Sequence, residues 1–440
     1  MLFMPPAQVA EPSRAMVPST SPAPVQDLRI DLPGALARAR GENAQLKAAQ
    51  ARVDERRSLI TATRADALPQ LSAIADFTRL RDVSILNSNF GERAAQFVGF
   101  SPESLVGARS VYTAQLNLSQ PLFYFGKLRS TLAVAKVGEQ EARAAYTTSE
   151  LDILHGVAKA YLNVLGAKAQ LEVVAVRRKA AERFLEDVKS KLAEQSATQL
   201  DLLRAQAELQ GVIPDSLQIE SEYQRAMELL DGQLGLDPRT PLTLADLERP
   251  VIPGDLAGQP RSEVAQLEEQ EKALRINDRI LASELRPKLD FNASYGYQAG
   301  RTDYLFKEPY DAWRVSLTLK VPIFDGLRSS GKRAQNRAQL EQVHEAKVDA
   351  QRQIQVQQQS ARRELIKAQS LVDAATQAHE AGAEALRVSH ESYDQGLITS
   401  LDLLQAERQE RQLESQRVRA GLGLWSALFD LRRANGLAPL

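Results

Sequence analysis

The 440-residue sequence contains no cysteine. That excludes disulfides, thiolate metal sites, iron–sulfur clusters and a cysteine nucleophile, and it leaves no thiol for a lipid anchor. Aromatic residues are scarce, at 5%, which is low for a compact enzyme. Neither sign of charge dominates: 55 Lys and Arg stand against 56 Asp and Glu, a net charge of −1. No basic excess therefore points to nucleic acid. No run approaches the roughly 18 apolar residues of a transmembrane helix. That absence leaves β-barrels open, because their short alternating strands escape a hydropathy scan. Hydrophobic residues at 43% and charged residues at 25% set the chain apart from a disordered polymer.

Proline marks the organisation. Residues 1–26 are rich in Pro, Ala and Ser and read as a disordered leader. Leu36 to Ala67 reads as a helix ending before Pro69. Residues 236–262 hold Pro238, Pro241, Pro250, Pro253 and Pro260 and read as an irregular connector. Between and beyond these stretches the pattern repeats at a shift of about 201 residues. Tyr112 to Phe123 aligns with Trp313 to Phe324. Leu200-Asp201-Leu202-Leu203 aligns with Leu401-Asp402-Leu403-Leu404, and Gly235-Leu236 with Gly436-Leu437. This period is too long for a solenoid unit, so the chain reads as two fused copies of a helix, strand hairpin and helical hairpin. The first copy spans 27–235, with strands about 68–80 and 111–123 and long helices about 126–195 and 198–235. The second spans 263–437, with strands about 288–300 and 311–324 and helices about 326–395 and 399–435.

The strands alternate with period two. Tyr112, Ala114, Leu116 and Leu118 alternate with Thr113, Gln115, Asn117 and Ser119; Trp313, Val315, Leu317, Leu319, Val321 and Ile323 alternate with Arg314, Ser316, Thr318 and Lys320. About ten residues per strand suits a tilted bilayer crossing as well as an ordinary antiparallel sheet with one buried face. Tyr112, Trp313 and Phe324 lie near strand ends, where membrane-interface aromatics sit. In the helices apolar residues recur at spacings of three and four. One stripe runs through Leu154, Ala158, Leu162, Leu165, Ala169, Val173, Val176, Ala180, Phe184 and Val188. The other runs through Ala361, Leu365, Ala368, Val372, Ala375, His379, Gly382 and Leu386. Residues 81–110, with Phe90, Phe97 and Phe100, read as a long loop between the first two strands.

Catalytic motifs are missing: there is no phosphate-binding loop, no dinucleotide fingerprint and no H-E-x-x-H. Enzyme activity, a cofactor and a metal are not expected. Of the four histidines, His379 and His390 lie eleven apart near one helix face, where a transient metal site competes with solvated or seam histidines, and the latter is preferred.

The order helix, strand pair, long helical hairpin, twice over, resembles the TolC-like outer membrane efflux proteins. The resemblance covers about residues 28–437. It is carried most specifically by Gln120-Pro121-Leu122-Phe123 with Gly126-Lys127, by Val321-Pro322-Ile323-Phe324-Asp325-Gly326, and by the turn from Tyr393 through Gly396 and Thr399 to Asp402. It implies a mainly α fold with a β-barrel part. Three chains would build a 12-stranded outer-membrane barrel on an α-helical periplasmic tunnel. It implies passive exit of drugs, toxic compounds or metal ions. The partners would be a homotrimer, a periplasmic adaptor, an inner-membrane pump or ABC transporter, and outer-membrane lipid. By the same resemblance Asp402, Asp201, Tyr393 and Gln405 are gate candidates. Gln405 stands where a second ring aspartate can occur, and Ile398 replaces a basic latch residue. Gly396, Leu397, Thr399 and Thr198 are adaptor-docking candidates. For Asp201 and Asp402 helix N-capping is the competing reading. Export requires a signal, and the apolar run Met1-Leu2-Phe3-Met4 is too short to supply one, so a signal upstream of it or in its place is expected. The alternatives are the outer-membrane component of type I protein secretion and, more distantly, a soluble coiled-coil scaffold or a periplasmic adaptor.

Overall fold

A computed structural model describes residues 28–80, 109–196, 198–237, 242–252, 258–308, 310–395, 397–398 and 400–440. The expected leader, the loop with its three phenylalanines, Gly396 and Thr399 lie outside the described residues. The elements in chain order are β1 (Leu28–Ile30), α1 (Leu32–Glu42), α2 (Ala44–Ala65), β2 (Gln70–Leu80), β3 (Arg109–Phe123), α3 (Lys127–Ala193) and α4 (Gln199–Leu234). There follow β4 (Leu242–Leu244), α5 (Ser262–Ala282), β5 (Lys288–Ala299), a 3-10 turn (Thr302–Tyr304), β6 (Asp311–Lys320), α6 (Arg328–Asp394) and α7 (Ser400–Ala434). Among the described residues no helix is long and apolar enough to cross a membrane.

The chain packs as two compact units. One holds the residues up to Arg38 together with Ala160–Arg249; the other holds Ala39–Lys159 and Pro250–Leu440. In the first, β1 pairs in parallel with β4. Buried Tyr161 fixes this pair, its hydroxyl donating to the Ala245 carbonyl at 2.6 Å. The connector read as irregular thus contains a strand, too short at three residues to show a period. In the same unit α3 packs on α4 through Val174, Ala181, Leu185 and Val188 against Ala205 and Val212. The stripe expected at Val173, Val176 and Ala180 is therefore displaced by one residue, and Val176 is exposed. A 3.5-residue stripe drifts about 20° per heptad around a straight helix, so a strict three–four reading leaves the buried face within a few turns.

The single helix expected over Leu36–Ala67 is two helices. Asn43 divides them: its side-chain oxygen accepts from the Gln45 and Leu46 amides at 2.9 and 3.3 Å, starting α2 afresh. The long α6 packs on α7 through Ala361, Leu365, Ala368 and Val372 against Leu424, Ala427, Leu428 and Leu431. Small residues recur on this seam and allow close approach of the two backbones. α5 is pinned to α6 by charge. Arg333 makes paired 3.0 Å bonds to Asp278, and Lys347 reaches Glu271 at 2.7 Å, holding that carboxyl below its usual range.

Both strand-to-helix junctions place two successive residues at positive φ. These are Phe125 (47°) and Gly126 (80°) before α3, and Gly326 (69°) and Leu327 (65°) before α6. Each copy supplies one glycine and one residue strained by its Cβ. At the second junction the Asp325 carboxylate accepts from the Ser329 amide at 2.8 Å and caps the helix start.

Candidate functional site

The four long strands form one antiparallel sheet in the order β2-β3-β5-β6. Its register gives all of them a common apolar face. Opposed residues in an antiparallel pair point the same way. The pairs Leu71↔Leu118, Ala73↔Leu116 and Phe77↔Tyr112 lead on to Leu116↔Tyr295 and Leu118↔Ala293, and then to Tyr295↔Trp313, Ala293↔Val315 and Phe291↔Leu317. The opposite face carries Ser72, Asp76, Asn117, Ser119, Asn292, Ser294, Ser316 and Thr318; Ile74 and Val111 are apolar exceptions on it. Among the described residues nothing covers the apolar face: Leu71, Trp313, Val315, Leu317 and Leu319 are all exposed, Trp313 at 73%. Such a face is suited to hydrocarbon rather than water.

Three sequence-picked aromatics fall in different places. Tyr112 lies in β3 with its ring 4.8 Å from that of Phe77. Trp313 lies in β6 opposite Tyr295. Phe324 is exposed but lies beyond β6, which ends at Lys320 rather than running to 324. Pro322 has no amide to donate to the ladder. In the first copy β3 passes Pro121 only with a register irregularity between Pro121 and Phe123.

At the first helical turn, α3 ends on Gln195 at φ 57°, and the Ser196 amide closes back to the Lys191 carbonyl at 2.8 Å. Thr198 caps α4 in a reciprocal box. Its hydroxyl oxygen accepts from the Asp201 amide at 3.2 Å, and Asp201 Oδ2 accepts from the Thr198 amide at 3.0 Å and from its hydroxyl at 2.6 Å. These hydrogen bonds from Thr198 hold the Asp201 carboxyl below its usual range. The capping alternative weighed for Asp201 is therefore present. At the second turn the same closure recurs, from the Leu397 amide to the Ser392 carbonyl at 2.8 Å. Asp402 lies in the first turn of α7, Tyr393 in the last turn of α6, and Gln405 is exposed one turn further on. Leu397 is exposed at 72%.

Sequence reasoning missed two features. Leu200 and Leu203, read only as markers of the repeat, are exposed on either side of Asp201 and form an apolar edge on the tip. The histidines were paired with each other along one helix. In the structure each instead faces glutamates of the neighbouring helix, His379 meeting Glu410 and Glu414, and His390 lying 3.8 Å from Glu407.

A four-stranded sheet with an apolar outer face, carried on helices of 67 residues, defines a channel protein of the outer membrane. Residues 35–236 and 255–437 match the outer membrane efflux protein family, and the chain belongs to it. Among its relatives are the pyoverdine export outer membrane proteins OpmQ of Pseudomonas aeruginosa and Pseudomonas putida. The first is 27% identical over 90% of this chain and 85% of its own length, and the second 25% identical over 89% and 84%. The CmeC outer membrane channel of Campylobacter jejuni shares the fold, with a TM-score of 0.77 at 16% identity, over 92% of this chain and 85% of that one. The protein is an outer-membrane efflux channel that extends into the periplasm.

Proposed function

We propose that three copies of the chain close a single 12-stranded barrel and act as a passive exit duct for small molecules. An inner-membrane pump would supply the energy, and a periplasmic adaptor would dock on the helical turns. The observation that carries this reading is the sheet itself. Its edge strands β2 and β6 each have one strand neighbour among the described residues. In hydrocarbon an open edge leaves backbone amides and carbonyls without partners, so the sheet needs further strands to close. Four strands from each of three chains give 12, an even number in the bacterial range. Export of a small molecule by the OpmQ relatives supports a small-molecule cargo.

Tyr112 and Trp313 in the strands and Phe324 beyond them serve as interface anchors in this reading. Asp402, with Tyr393 and Gln405 nearby, lines the gate, and Asp201 contributes by holding the first turn in shape. Three Asp402 carboxylates around a threefold axis repel anions and attract cations. Leu397, with its sequence neighbours Gly396 and Thr399, is the adaptor-docking candidate of the second copy, and Thr198 is that of the first. Because Leu397 has no apolar counterpart at Ser196, the second turn is the stronger of the two docking sites.

The test is expression behind a working export signal, followed by electrophoresis of the outer membrane with and without boiling. A heat-sensitive band of three chain masses supports the duct. A soluble, elongated species confined to the periplasm would overturn it. In planar bilayers, Asp402→Ala should weaken block by multivalent cations; unchanged block would remove Asp402 from the gate.

A further inference from the structure

We infer that His379, Glu410 and Glu414 form a binding site for a first-row divalent cation of the zinc type, bridging α6 and α7. The atoms these three residues can offer as ligands lie within 4.8 Å of one another, and no other His, Asp and Glu grouping among the described residues meets that condition. His379 Nε2 stands 3.4 Å from Glu410 Oε1 and 2.5 Å from Glu414 Oε2. Ligands around a tetrahedral zinc ion, at bond lengths of about 2.0–2.2 Å, are separated by roughly 3.3–3.5 Å. Small side-chain rotations therefore bring this set to ligating geometry.

Glu410 supplies the independent sign of a missing ligand. It is only 8% exposed, yet its Oε2 accepts no hydrogen bond. Its nearest charged partner there is Arg411 Nε at 3.6 Å, too long for a hydrogen bond. A buried carboxylate with one oxygen short of donors is costly, and a cation bound through Oε1, the oxygen that faces His379, would offset its charge. Glu414 is already oriented: its Oε1 accepts from Arg417 at 3.2 Å, leaving Oε2 turned toward His379.

The backbone is arranged to bring the two helices together here. A Cβ placed on Gly382 would sit 2.5 Å from Leu413 Cδ1, so Leu413 packs directly over the glycine and its methyl would have to move to admit a larger residue. Glu410 and Glu414 flank Leu413 on α7, one turn apart, and His379 lies one turn before Gly382 on α6. One imidazole with two carboxylates selects zinc-like ions over calcium or magnesium, which take all-oxygen sets. The two carboxylates balance the charge of the ion, and a fourth position remains for water. A bound ion would tie α6 to α7 about 10–15 residues from the helix ends that flank the second turn.

The experiment uses the full chain purified in detergent, stripped with chelator and titrated calorimetrically with Zn²⁺ alone. One saturable site per chain is expected, weakened at least about 10-fold in both His379→Gln and Glu410→Gln. His390→Gln, outside the cluster, should bind as the parent does. Absence of a saturable site, or full affinity in His379→Gln, would overturn the inference and leave a plain ion pair. Should either variant fail to fold, Co²⁺ added to the parent decides: ligand-field absorption of a four-coordinate site, removed by Zn²⁺, supports the site, and its absence overturns it. The heat-sensitive trimer band is scored separately, so loss of the channel reading and loss of the metal site are distinguishable.

Discussion

Single residues set the geometry of the helical turns. Gln195 closes α3 in the left-handed region, where a Cβ costs about 1–2 kcal/mol. Gln195→Gly should therefore stabilise the first hairpin by about 1 kcal/mol. Thr198→Ala removes the capping box and should cost about 1 kcal/mol. Thermal unfolding followed by helical circular dichroism checks both, and shifts of the same sign would contradict the assignment. The candidate tip residues were legible in the sequence because the 201-residue repeat aligns Asp201 with Asp402. What each carboxylate binds was not, since that depends on how the turn closes. The link from His379 to Glu410 and Glu414 was hidden for a similar reason: the residues are more than 30 positions apart and meet only where α6 crosses α7.

At the scale of elements, periodicity predicted the strands well and the helical seam unevenly. Period two survives a long strand without drift, so the apolar residues from Tyr112 to Leu118 in β3 and from Trp313 to Leu319 in β6 share the face the register reveals, whereas Val321 and Ile323, expected to continue the alternation, lie beyond the end of β6. Leu317→Arg, on that face, should cost about 2–4 kcal/mol in the membrane and reduce assembled protein. Ser316→Arg, on the other face, should be tolerated; equal losses in outer-membrane trimer would show that the faces are not distinguished. The helices are also held by ion pairs with a pH signature. Burial pushes the Glu263 carboxyl up, but hydrogen bonds from Arg261 and Arg433 override it and bring it from 4.5 to about 2. A folded-state value below the unfolded one adds stability above about pH 4.5, lost as pH falls toward 2. Between about pH 5 and pH 3 the melting temperature of the parent should fall more steeply than that of Glu263→Gln. Parallel curves would assign the acid sensitivity to other groups.

On the scale of the whole molecule, the absent cysteines become useful. Ser72 on β2 and Arg314, Ser316 and Thr318 on β6 lie on the polar face of the two sheet edges. Chains carrying Ser72→Cys together with Arg314→Cys, Ser316→Cys or Thr318→Cys should form covalent trimers on mild oxidation when the β2 edge of one copy meets the β6 edge of the next. Monomers in every combination would indicate that these edges do not meet.

The sequence by itself determined the tandem repeat, the two-residue alternation of the strands and the long helices, because these rest on local steric and hydrophobic periods that each segment carries alone. Only the tertiary structure decided the strand order β2-β3-β5-β6, the β1–β4 pair within the connector, the one-residue displacement of the α3 seam and the meeting of His379 with two glutamates. Each of these depends on which separate segments pack together, and pairing across tens to hundreds of residues leaves no period in the chain to read.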